Sequence, residues 1–417
     1  MKHPHYRLGL ISSALSAVLV SCALNAIETK SEESIPRPTF KAVNPILMPP
    51  VGWYAYRGNP SLTGFTKDAL PEKPVLLWIF KTGGDIRSSP AVVGNQLYIG
   101  SGDHSIYTLN AATGEKLWSY ATEGEVESSP LFFQNMVIAG SADGNVYALN
   151  SEKGILVWKF KTGDKILGAP NLFYQPKGNT STSQQPAFIL VGSYDKRIYA
   201  LEPLKGEMLW NFETENFING SPALTSDMSP KPDGSVKDVF TAFGGCDGML
   251  HIVNVRDGQE ARSVLVEQPI AGSPALEGKF AYFGHYGNEF VCADMDAGKI
   301  VWRYKDLEFP FFSSPAIGPE QVVFGGRDKR IHCVDKTTGK KIWTFETQGR
   351  VDFSPVIAND KVLCGSSDGR LYLLSLKEGK ELWSYDLAQP LVGSAAVVNG
   401  KIYVGCEDGG VYCFGQK

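Results

Sequence analysis

The sequence lacks several features that would point to common classes of function. The 417-residue chain has no adjacent cysteine pair and no Cys-x-x-Cys-His segment, the attachment sequence of a covalently bound haem. Its net charge of −4 provides no basic field that would attract nucleic acid. After residue 20, no apolar run is long enough to cross a bilayer. Hydrophobic residues make up 43% of the chain and charged residues 20%, which is typical of a globular protein.

The N-terminus has the features of an export signal. Lys2 and Arg7 form a basic region before an apolar run over residues 8–20, which is too short to span a bilayer and suits a secretory signal. The run ends in Leu-Val-Ser-Cys22, which is similar to the bacterial lipobox, whose cysteine is lipidated and becomes the first mature residue. We therefore predict a lipoprotein signal peptide over residues 1–21, a lipid anchor on Cys22 and a flexible tether over residues 22–50. The alternative is an ordinary signal peptide followed by an unrelated cysteine.

The rest of the chain repeats three landmarks: a tryptophan, a proline after small residues, and an aspartate at a turn. The tryptophans are Trp78, Trp118, Trp158, Trp210, Trp302, Trp343 and Trp383, with Arg262 in the missing place. The prolines are Pro90, Pro130, Pro170, Pro222, Pro274, Pro315 and Pro355, with Ala395 in the eighth place. The turn residues are Asp103, Asp143, Asp195, Asp247, Gly287, Asp328, Asp368 and Asp408.

The spacing of these landmarks is nearly constant. The tryptophan position follows the turn residue after 15 positions, and the proline position follows the tryptophan after 12, with one exception of 13. The turn residue follows the proline after 13 positions in six of the eight units, which gives a period of 40. Segments such as "NVYALN" and turns such as "ADG" predict short strands joined by hairpins. A period near 40 with four strands per unit is typical of propeller blades.

The two ends of the repeat predict how a ring would close. The last unit stops at Lys417 without an outer strand, whereas the segment "PVLLWIF" over residues 74–80 has no inner strands before it. Pairing the first strand with the last would complete one blade and leave no free edge there. We therefore predict an all-β fold, an eight-bladed β-propeller of four-stranded antiparallel blades over residues 74–417. A lead-in segment over residues 51–73 precedes it.

The repeat "NAATGEKLW" and its equivalent "DKTTGKKIW" resemble the PQQ-like propeller family, and the Trp-Asp dipeptide of WD repeats is absent. The lipobox and eight blades together are similar to BamB-type outer-membrane assembly lipoproteins. The segment "GWYAYRGNPSLTGF" over residues 52–65 resembles the lead-in of BamB-like proteins. The resemblance implies a non-catalytic scaffold without a cofactor, anchored at the outer membrane and facing the periplasm. Its partners would be proteins of a β-barrel assembly complex.

Two other functions stay open at this stage. Quinoprotein dehydrogenases, which use pyrroloquinoline quinone and calcium, share the repeat. Their resemblance also implies adjacent cysteines and long capping loops, for which the constant intervals of 12 and 15 residues leave no room. The other alternative is a surface module that binds glycan or peptide.

Contacts with a ligand or partner would involve the residues three positions before each proline, which we expect at one mouth of the central channel. The polar candidates are Arg87, Glu127, Asn219 and Asp352, whereas Leu167, Ala271, Phe312 and Val392 hold the other places. Glu127 and Asp352 belong to blades 2 and 7, so we do not expect them to share a metal ion, which needs several converging oxygens.

Other residues with functional chemistry occupy ordinary repeat positions. Cys292, Cys333 and Cys413 share one position in three blades, which predicts small core side chains. His251 and His332 take the place of a strand tyrosine, which favours packing over metal binding. The turn aspartates are expected to accept hydrogen bonds from turn amides. Whether any of the six cysteines after Cys22 form a disulfide stays open.

Two blades break the period. The interval from proline to turn residue grows from 13 to 25 after Pro170 and after Pro222, where residues 175–186 and 226–235 are inserted. Both insertions join the first and second strands of adjacent blades, so they would project from one face. We predict that they contact a partner, and the alternative is a pair of tolerated surface insertions.

Overall fold

Eight four-stranded antiparallel sheets follow one another around a central channel, so the protein is an all-β, eight-bladed propeller, as predicted. The computed structural model describes residues 52–174, 187–225 and 238–417. The predicted signal peptide, Cys22, the predicted tether and both insertions lie outside these residues. Within the described ranges, no helix is both long and apolar enough to cross a membrane.

The chain before the first blade contributes short elements and one long strand: β1 (Gly52–Trp53), a 3-10 helix (Tyr56–Gly58), β2 (Phe65–Thr66) and β3 (Val75–Lys81). Blade 1 comprises β4 (Ala91–Val93), β5 (Gln96–Ser101), β6 (Ser105–Asn110) and β7 (Lys116–Ala121). Blade 2 comprises β8 (Leu131–Phe133), β9 (Met136–Gly140), β10 (Asn145–Asn150) and β11 (Leu156–Lys161). Blade 3 comprises β12 (Asn171–Tyr174), β13 (Ala187–Gly192), β14 (Arg197–Leu201) and β15 (Met208–Glu213).

The remaining blades repeat this order. Blade 4 comprises β16 (Ala223–Leu224), β17 (Phe240–Gly244), β18 (Met249–Asn254) and β19 (Glu260–Leu265). Blade 5 comprises β20 (Ala275–Glu277), β21 (Phe280–Gly284), β22 (Phe290–Asp294) and β23 (Lys299–Tyr304). Blade 6 comprises β24 (Ala316–Ile317), β25 (Gln321–Gly325), β26 (Arg330–Asp335) and β27 (Lys341–Glu346). Blade 7 comprises β28 (Val356–Ala358), β29 (Lys361–Gly365), β30 (Arg370–Ser375) and β31 (Glu381–Asp386). Blade 8 comprises β32 (Ala396–Val398), β33 (Lys401–Gly405), β34 (Gly410–Gly415) and β3.

The four strands of each blade are named A to D from the channel outwards. The short A strands of neighbouring blades contact one another around the axis. The B strands are almost wholly buried between blades, whereas the D strands alternate buried and exposed side chains because they form the outer surface. Because the B strands are buried on both faces, they have the longest unbroken apolar runs in each repeat.

The ring closes through the two ends of the repeat, which confirms the predicted pairing. Strand β3 pairs antiparallel with β34, and Trp78 lies opposite Cys413. The register shifts between Leu76 and Trp78, as it does at the same place in the other blades. The D strand of blade 8 therefore comes from the start of the propeller, and β34 has a paired strand on both sides.

The repeat tryptophans connect each blade to the next. Trp118 of blade 1 packs on Gly154 in the C–D turn of blade 2, where a Cβ atom would lie 2.6 Å from the indole ring. The Trp118 indole N–H also donates a hydrogen bond of 2.9 Å to the Ser151 carbonyl in that turn. Only glycine admits the ring at this distance, and its positive φ of 67° suits the turn. The Gly-x-x-x-Trp spacing therefore encodes an interface between blades.

The turn aspartates cap turns, as predicted, and also join neighbouring blades. Asp143 accepts hydrogen bonds from the Asn145 amide, from the Tyr147 hydroxyl and from the Glu123 amide in the D–A connection before its blade. Burial would raise the pKa of Asp143, but these hydrogen bonds outweigh it and lower the pKa. The aspartate is therefore held in its charged form by the turn it supports.

The cysteines that share one repeat position are core side chains, as predicted. Cys292, Cys333 and Cys413 are buried, and each lies across the ladder from a repeat tryptophan. All six cysteines of the described residues are free thiols. Burial raises the pKa of Cys333 to about 12, which keeps this thiol protonated and unreactive.

The two strand histidines replace tyrosines in contact with turn aspartates. His251 lies 2.9 Å from a carboxylate oxygen of Asp247 and 2.7 Å from one of Glu260. His332 contacts Asp328 and the Tyr304 hydroxyl through its two ring nitrogens. Both histidines pack against phenylalanine rings in their blades, which confirms the packing role predicted for them.

Candidate functional site

One end of the central channel is closed by the lead-in loop, defined here as residues 52–69. The loop contacts the A strands of all eight blades in chain order. Strand β1 pairs with β4 of blade 1, and β2 pairs in parallel with β28 of blade 7. Between them, lead-in carbonyls accept hydrogen bonds of 2.7–2.8 Å from A-strand amides of blades 2, 4, 5 and 6. The Asn171 side chain of blade 3 donates to Pro60, and Asp68 accepts from the Asn399 amide of blade 8.

Arg57 lies on the channel side of this loop and is fully buried. Its guanidinium donates hydrogen bonds to the carbonyls of Pro315, Ser354 and Pro355 and to the Ser394 hydroxyl. Burial lowers the pKa of Arg57 to about 10, so the group remains charged at neutral pH. One cation thus joins carbonyls of blades 6 and 7 to a hydroxyl of blade 8, and the Ser394 hydroxyl in turn donates to the Ser354 carbonyl.

The loop is shaped to hold this arginine. Arg57 itself has a positive φ of 61°, and Gly64 approaches it so closely that a Cβ atom would lie 2.0 Å from Nη2. Tyr56 points its hydroxyl to the hydroxyls of Ser314 and Ser354, at 3.1 and 3.2 Å. Its ring forms part of the floor of a cavity that opens at the other end of the channel.

The open mouth is the ring of eight residues that precede the prolines by three positions, and the structure brings all of them together around a cavity of about 190 Å³. These residues are Arg87, Glu127, Leu167, Asn219, Ala271, Phe312, Asp352 and Val392. Their position was predicted from the repeat, because one residue per blade must occupy each level of the channel wall. Their role as contacts stays a prediction.

Arg87 is the centre of one charged group at this mouth. Its Nε lies 2.9 Å from Asp85 and 3.4 Å from Glu407, and its Nη1 lies 4.0 Å from Glu127. Burial opposes the charge of Arg87, but Glu127, Asp85 and Glu407 raise its pKa. Burial raises the pKa of Glu127, although Arg87 lowers it in part. Three carboxylates thus surround one cation and leave this side of the mouth negative.

Asp352 is held apart from that group. Arg327 binds both of its carboxylate oxygens at 2.9 Å, and Arg350 binds one of them at 3.1 Å. The guanidinium of Arg327 also lies over the ring of Phe312, 4.0 Å from its centroid. Asn219 contacts the Cys246 thiol at 3.6 Å and has an unpartnered, buried side-chain oxygen. The four polar candidates therefore do not converge on one point.

Two pairs of rings lie beside the open mouth, Tyr194 with Phe217 and Tyr286 with Phe312, and the exposed Phe309 precedes Phe312 by three residues in the same connection. We call these five rings the aromatic arc. Tyr194 stacks on Phe217 with centroids 5.3 Å apart, and Tyr286 contacts Phe312 at 4.4 Å. Lys165 lies 4.4 Å from the centroid of Tyr194. Phe312 holds a mouth position that the period predicts, whereas the other four rings come from D–A and B–C connections that vary between repeats, so the period gave no signal for them.

One group among the described residues has the composition of a metal site. Ligand atoms of Asp306, Asp328 and His332 lie within 4.8 Å of one another. Both nitrogens of His332 are already engaged by Tyr304 and Asp328, and Asp306 is paired with Arg330 and Lys341. Two cations beside one carboxylate oppose the binding of a third, so the group is an internal ion-pair network.

The comparisons with known proteins agree with this architecture. The family model of the outer membrane protein assembly factor BamB matches residues 74–212 and 246–417. Among solved structures, BamB from Moraxella catarrhalis is 17% identical with a TM-score of 0.64, and the match covers 82% of this chain and 98% of that one. Quinohemoprotein alcohol dehydrogenase from Comamonas testosteroni is 13% identical with a TM-score of 0.69, covering 88% and 81%. No curated protein matches the sequence.

Proposed function

Since the chain belongs to the family of the outer membrane protein assembly factor BamB, we propose that it is a non-catalytic scaffold for protein partners. In this proposal, Cys22 carries a lipid anchor and the propeller faces the periplasm at the outer membrane. The partners are components of a complex that assembles outer-membrane β-barrel proteins. The lead-in loop closes one end of the channel, so the open mouth is the end available to a partner along the axis.

The observation that carries this proposal is the exposure of apolar side chains beside the open mouth. Phe217 is 41% exposed, Tyr286 47% and Phe309 47%, and Leu307 next to them is 40% exposed. Large apolar groups gathered on one face are typical of protein interfaces, in which aromatic residues are enriched. Charged residues of the mouth border the arc, as a polar rim surrounds the apolar centre of an interface.

Cross-linking in membranes tests the proposal. A photoreactive amino acid at position 217 or 309 is expected to cross-link to a barrel-assembly component, since both positions lie on the aromatic arc. The same amino acid in place of Leu382, which is 38% exposed on the D strand of blade 7, provides a matched control outside the arc. Affinity purification of the full-length protein from solubilised membranes should recover the same component. Recovery of no such component by either method would contradict the proposed function.

The residues at the open mouth do not fit the quinone and calcium of the dehydrogenases that share this fold. The cavity of about 190 Å³ is smaller than the roughly 300–1,000 Å³ typical of small-molecule pockets. Calcium needs six to eight oxygen ligands, roughly, whereas the mouth carboxylates Glu127 and Asp352 are each paired with arginine. Dye reduction after addition of pyrroloquinoline quinone, calcium and an alcohol or sugar would overturn this conclusion.

A further inference from the structure

Six interfaces between neighbouring blades contain the same receptor for an indole ring. In each, a Cβ atom on the C–D turn glycine would lie 2.4–2.7 Å from ring atoms of the tryptophan in the preceding blade. The indole N–H donates to a backbone carbonyl of the same turn, with distances of 2.9–3.3 Å. A bare glycine surface and a free carbonyl are therefore the two features that this fold uses to hold an indole.

The interface between blades 4 and 5 has this receptor without its indole. Arg262 holds the tryptophan position, opposite Ile252 in the ladder. Gly298 has the same backbone conformation as the other turn glycines, with a φ of 64°. Among the described residues, a Cβ atom on Gly298 would meet only the Ser263 carbonyl oxygen, at 3.8 Å. Met295 holds the position whose carbonyl accepts the indole N–H in the other blades, and here no tryptophan donates to it.

A cavity of about 210 Å³ is lined by Arg262 and Met295, and we call this cavity, together with the open space over Gly298, the vacant slot. Its floor includes Ile252 and Met295, which are 2% and 3% exposed. A second side chain is also smaller at this interface. In blade 5 the ring of Tyr282 contacts Trp302, whereas in blade 4 the equivalent position is Ala242, which leaves that volume unfilled. The volume is below the roughly 300–1,000 Å³ typical of small-molecule pockets, but an apolar floor of buried side chains below an open entrance suits a single aromatic side chain.

The rim of the vacant slot is charged and open to solvent. The side chain of Arg262 is 49% exposed and that of Asp296 71%, and their nearest charged atoms are 3.9 Å apart. Lys279 lines the slot as well and pairs with Asp294 at 2.7 Å. Arg262 can therefore move over a ring in the slot without loss of a buried ion pair, and a guanidinium over an aromatic face is attractive.

We propose that the vacant slot binds the tryptophan side chain of a partner polypeptide. In the six occupied slots the indole is attached to a strand backbone at the rim, so the receptor is shaped for a side chain that enters from a neighbouring chain segment. The Gly298 surface would receive the face of the ring, and the Met295 carbonyl would accept its N–H. The site is separate from the aromatic arc, so it does not depend on the function proposed above.

Fluorine NMR with the full-length protein tests the proposal. The probe is N-acetyl-5-fluorotryptophanamide, whose signal broadens on binding. In the Arg262→Trp variant the slot is filled from within, so we expect the affinity for the probe to fall at least tenfold and the melting temperature to rise. Arg262→Ala is the matched control, because it changes the same position and leaves the slot open; its affinity should stay within about threefold of the wild type. Equal probe affinity in Arg262→Trp and wild type would overturn the proposal.

A second comparison uses only the wild-type protein and therefore does not depend on the folding of a variant. The 1-methyl derivative of the probe lacks the indole N–H, and we expect it to bind about fivefold more weakly, since one hydrogen bond contributes about 1 kcal/mol. Equal affinity for the two probes would show that the Met295 carbonyl is not the acceptor and would overturn the assignment of the site.

A third comparison tests whether the occupant is a polypeptide. The tripeptide Gly-Trp-Gly with blocked ends should bind at least as tightly as free 5-fluoroindole, because the rim admits a backbone. Free indole that binds more than tenfold tighter than the peptide would overturn the polypeptide as occupant. Loss of barrel-assembly partners from the aromatic arc would leave all three comparisons unaffected, so the two proposals fail separately.

Discussion

At one end of the central channel, the lead-in loop pairs with the inner edges of the A strands and buries the charge of Arg57 among their carbonyls. At the other end, the segments that lead into the same eight strands place one side chain each around a cavity that opens to solvent. The closed end uses a segment that does not repeat, whereas the open end uses one residue from each repeat. The difference shows that symmetry alone does not seal a propeller: a non-repeating segment has to satisfy eight inner strand edges.

The largest effect should follow from removing the cation at the closed end. Arg57→Ala leaves the buried carbonyls of Pro315 and Pro355 without this donor, whereas the Ser354 carbonyl keeps a hydrogen bond from the Ser394 hydroxyl. We expect the free energy of unfolding to fall by about 4 kcal/mol, because each buried acceptor left without a partner costs about 1–3 kcal/mol and the lost side chain leaves a cavity. Urea denaturation of the wild type and the variant measures this loss.

Arg350→Ala is the control for that experiment, because Arg350 is 57% exposed at the open end and pairs with Asp352. Its effect should stay below about 0.5 kcal/mol, since exposed ion pairs contribute little. A loss of less than about 1 kcal/mol in Arg57→Ala would mean that the closed end is no more stabilising than the open one, which would remove the contrast between them.

The second effect comes from the glycine that approaches Arg57. Gly64→Ala places a Cβ atom 2.0 Å from Nη2, and the φ of 59° adds backbone strain. We expect a loss of about 3 kcal/mol in the free energy of unfolding from strain and displacement of the guanidinium together. Gly94 is the matched control, since it has the same φ of 59° and no atom of residues 52–174, 187–225 or 238–417 lies within 4 Å of its added Cβ.

Gly94→Ala should therefore lower the free energy of unfolding only through backbone strain, by about 1 kcal/mol. The double variant Arg57→Ala with Gly64→Ala isolates the clash. Its free energy of unfolding should fall by less than the sum of the two single losses, because the Cβ atom added at position 64 no longer meets a guanidinium. Additive losses in denaturation would indicate that Gly64 and Arg57 act independently and that the loop is not built around the arginine.

The contrast between the two ends also explains what the sequence could predict. The closure of the ring by Trp78, the eight blades and the positions of the mouth residues all follow from a constant period, because equivalent positions in a repeat have equivalent surroundings. The lead-in loop has no period, so its path across the channel could not be deduced. One signal was present: Asn171 is polar at a position where the other seven blades have Ala, Leu or Val. It donates to Pro60 of the loop.

The ion pairs at the open mouth could not be predicted from the sequence either. Asp352 was identified by its repeat position, but its partner Arg327 comes from a B–C turn of the preceding blade, 25 residues away in the chain. Such turns differ between repeats, and the direction of a long side chain within them depends on the packing of its neighbours. Repeat position therefore locates a residue on the channel wall without showing which contacts it makes.

A smaller effect should appear at the open end as a dependence on pH. Burial alone would lower the pKa of His251, but Asp247 and Glu260 outweigh it and raise the pKa. Since the folded state binds the proton more tightly, this contribution is fully present below the unfolded pKa of about 6.5 and is lost as the pH rises through the folded value. His251→Tyr is the matched variant, because tyrosine holds this position in blades 1, 2, 3, 7 and 8.

The difference in free energy of unfolding between wild type and His251→Tyr should move in favour of the variant by about 1 kcal/mol between pH 5.5 and 8.5, the size of one charged hydrogen bond. Other groups, such as the buried His285, contribute equally to both proteins and cancel. Denaturation curves at several pH values measure the slope. A difference that stays constant with pH would show that His251 is not charged in the folded protein.

The smallest effect on stability should follow from Arg87→Ala at the open mouth. Arg87 is 47% exposed and is shared among Asp85, Glu127 and Glu407, so its removal loses solvated ion pairs and leaves carboxylates that water can reach. We expect the free energy of unfolding to change by less than about 0.5 kcal/mol.

The variant should nevertheless recover less of a partner that binds at this mouth, since the charge of the rim changes while the fold does not. Both quantities are measurable on one preparation, by denaturation and by capture from solubilised membranes. A loss of stability as large as that of Arg57→Ala would show that the open end is also a structural closure, because a surface kept for binding should tolerate the change of one exposed charge.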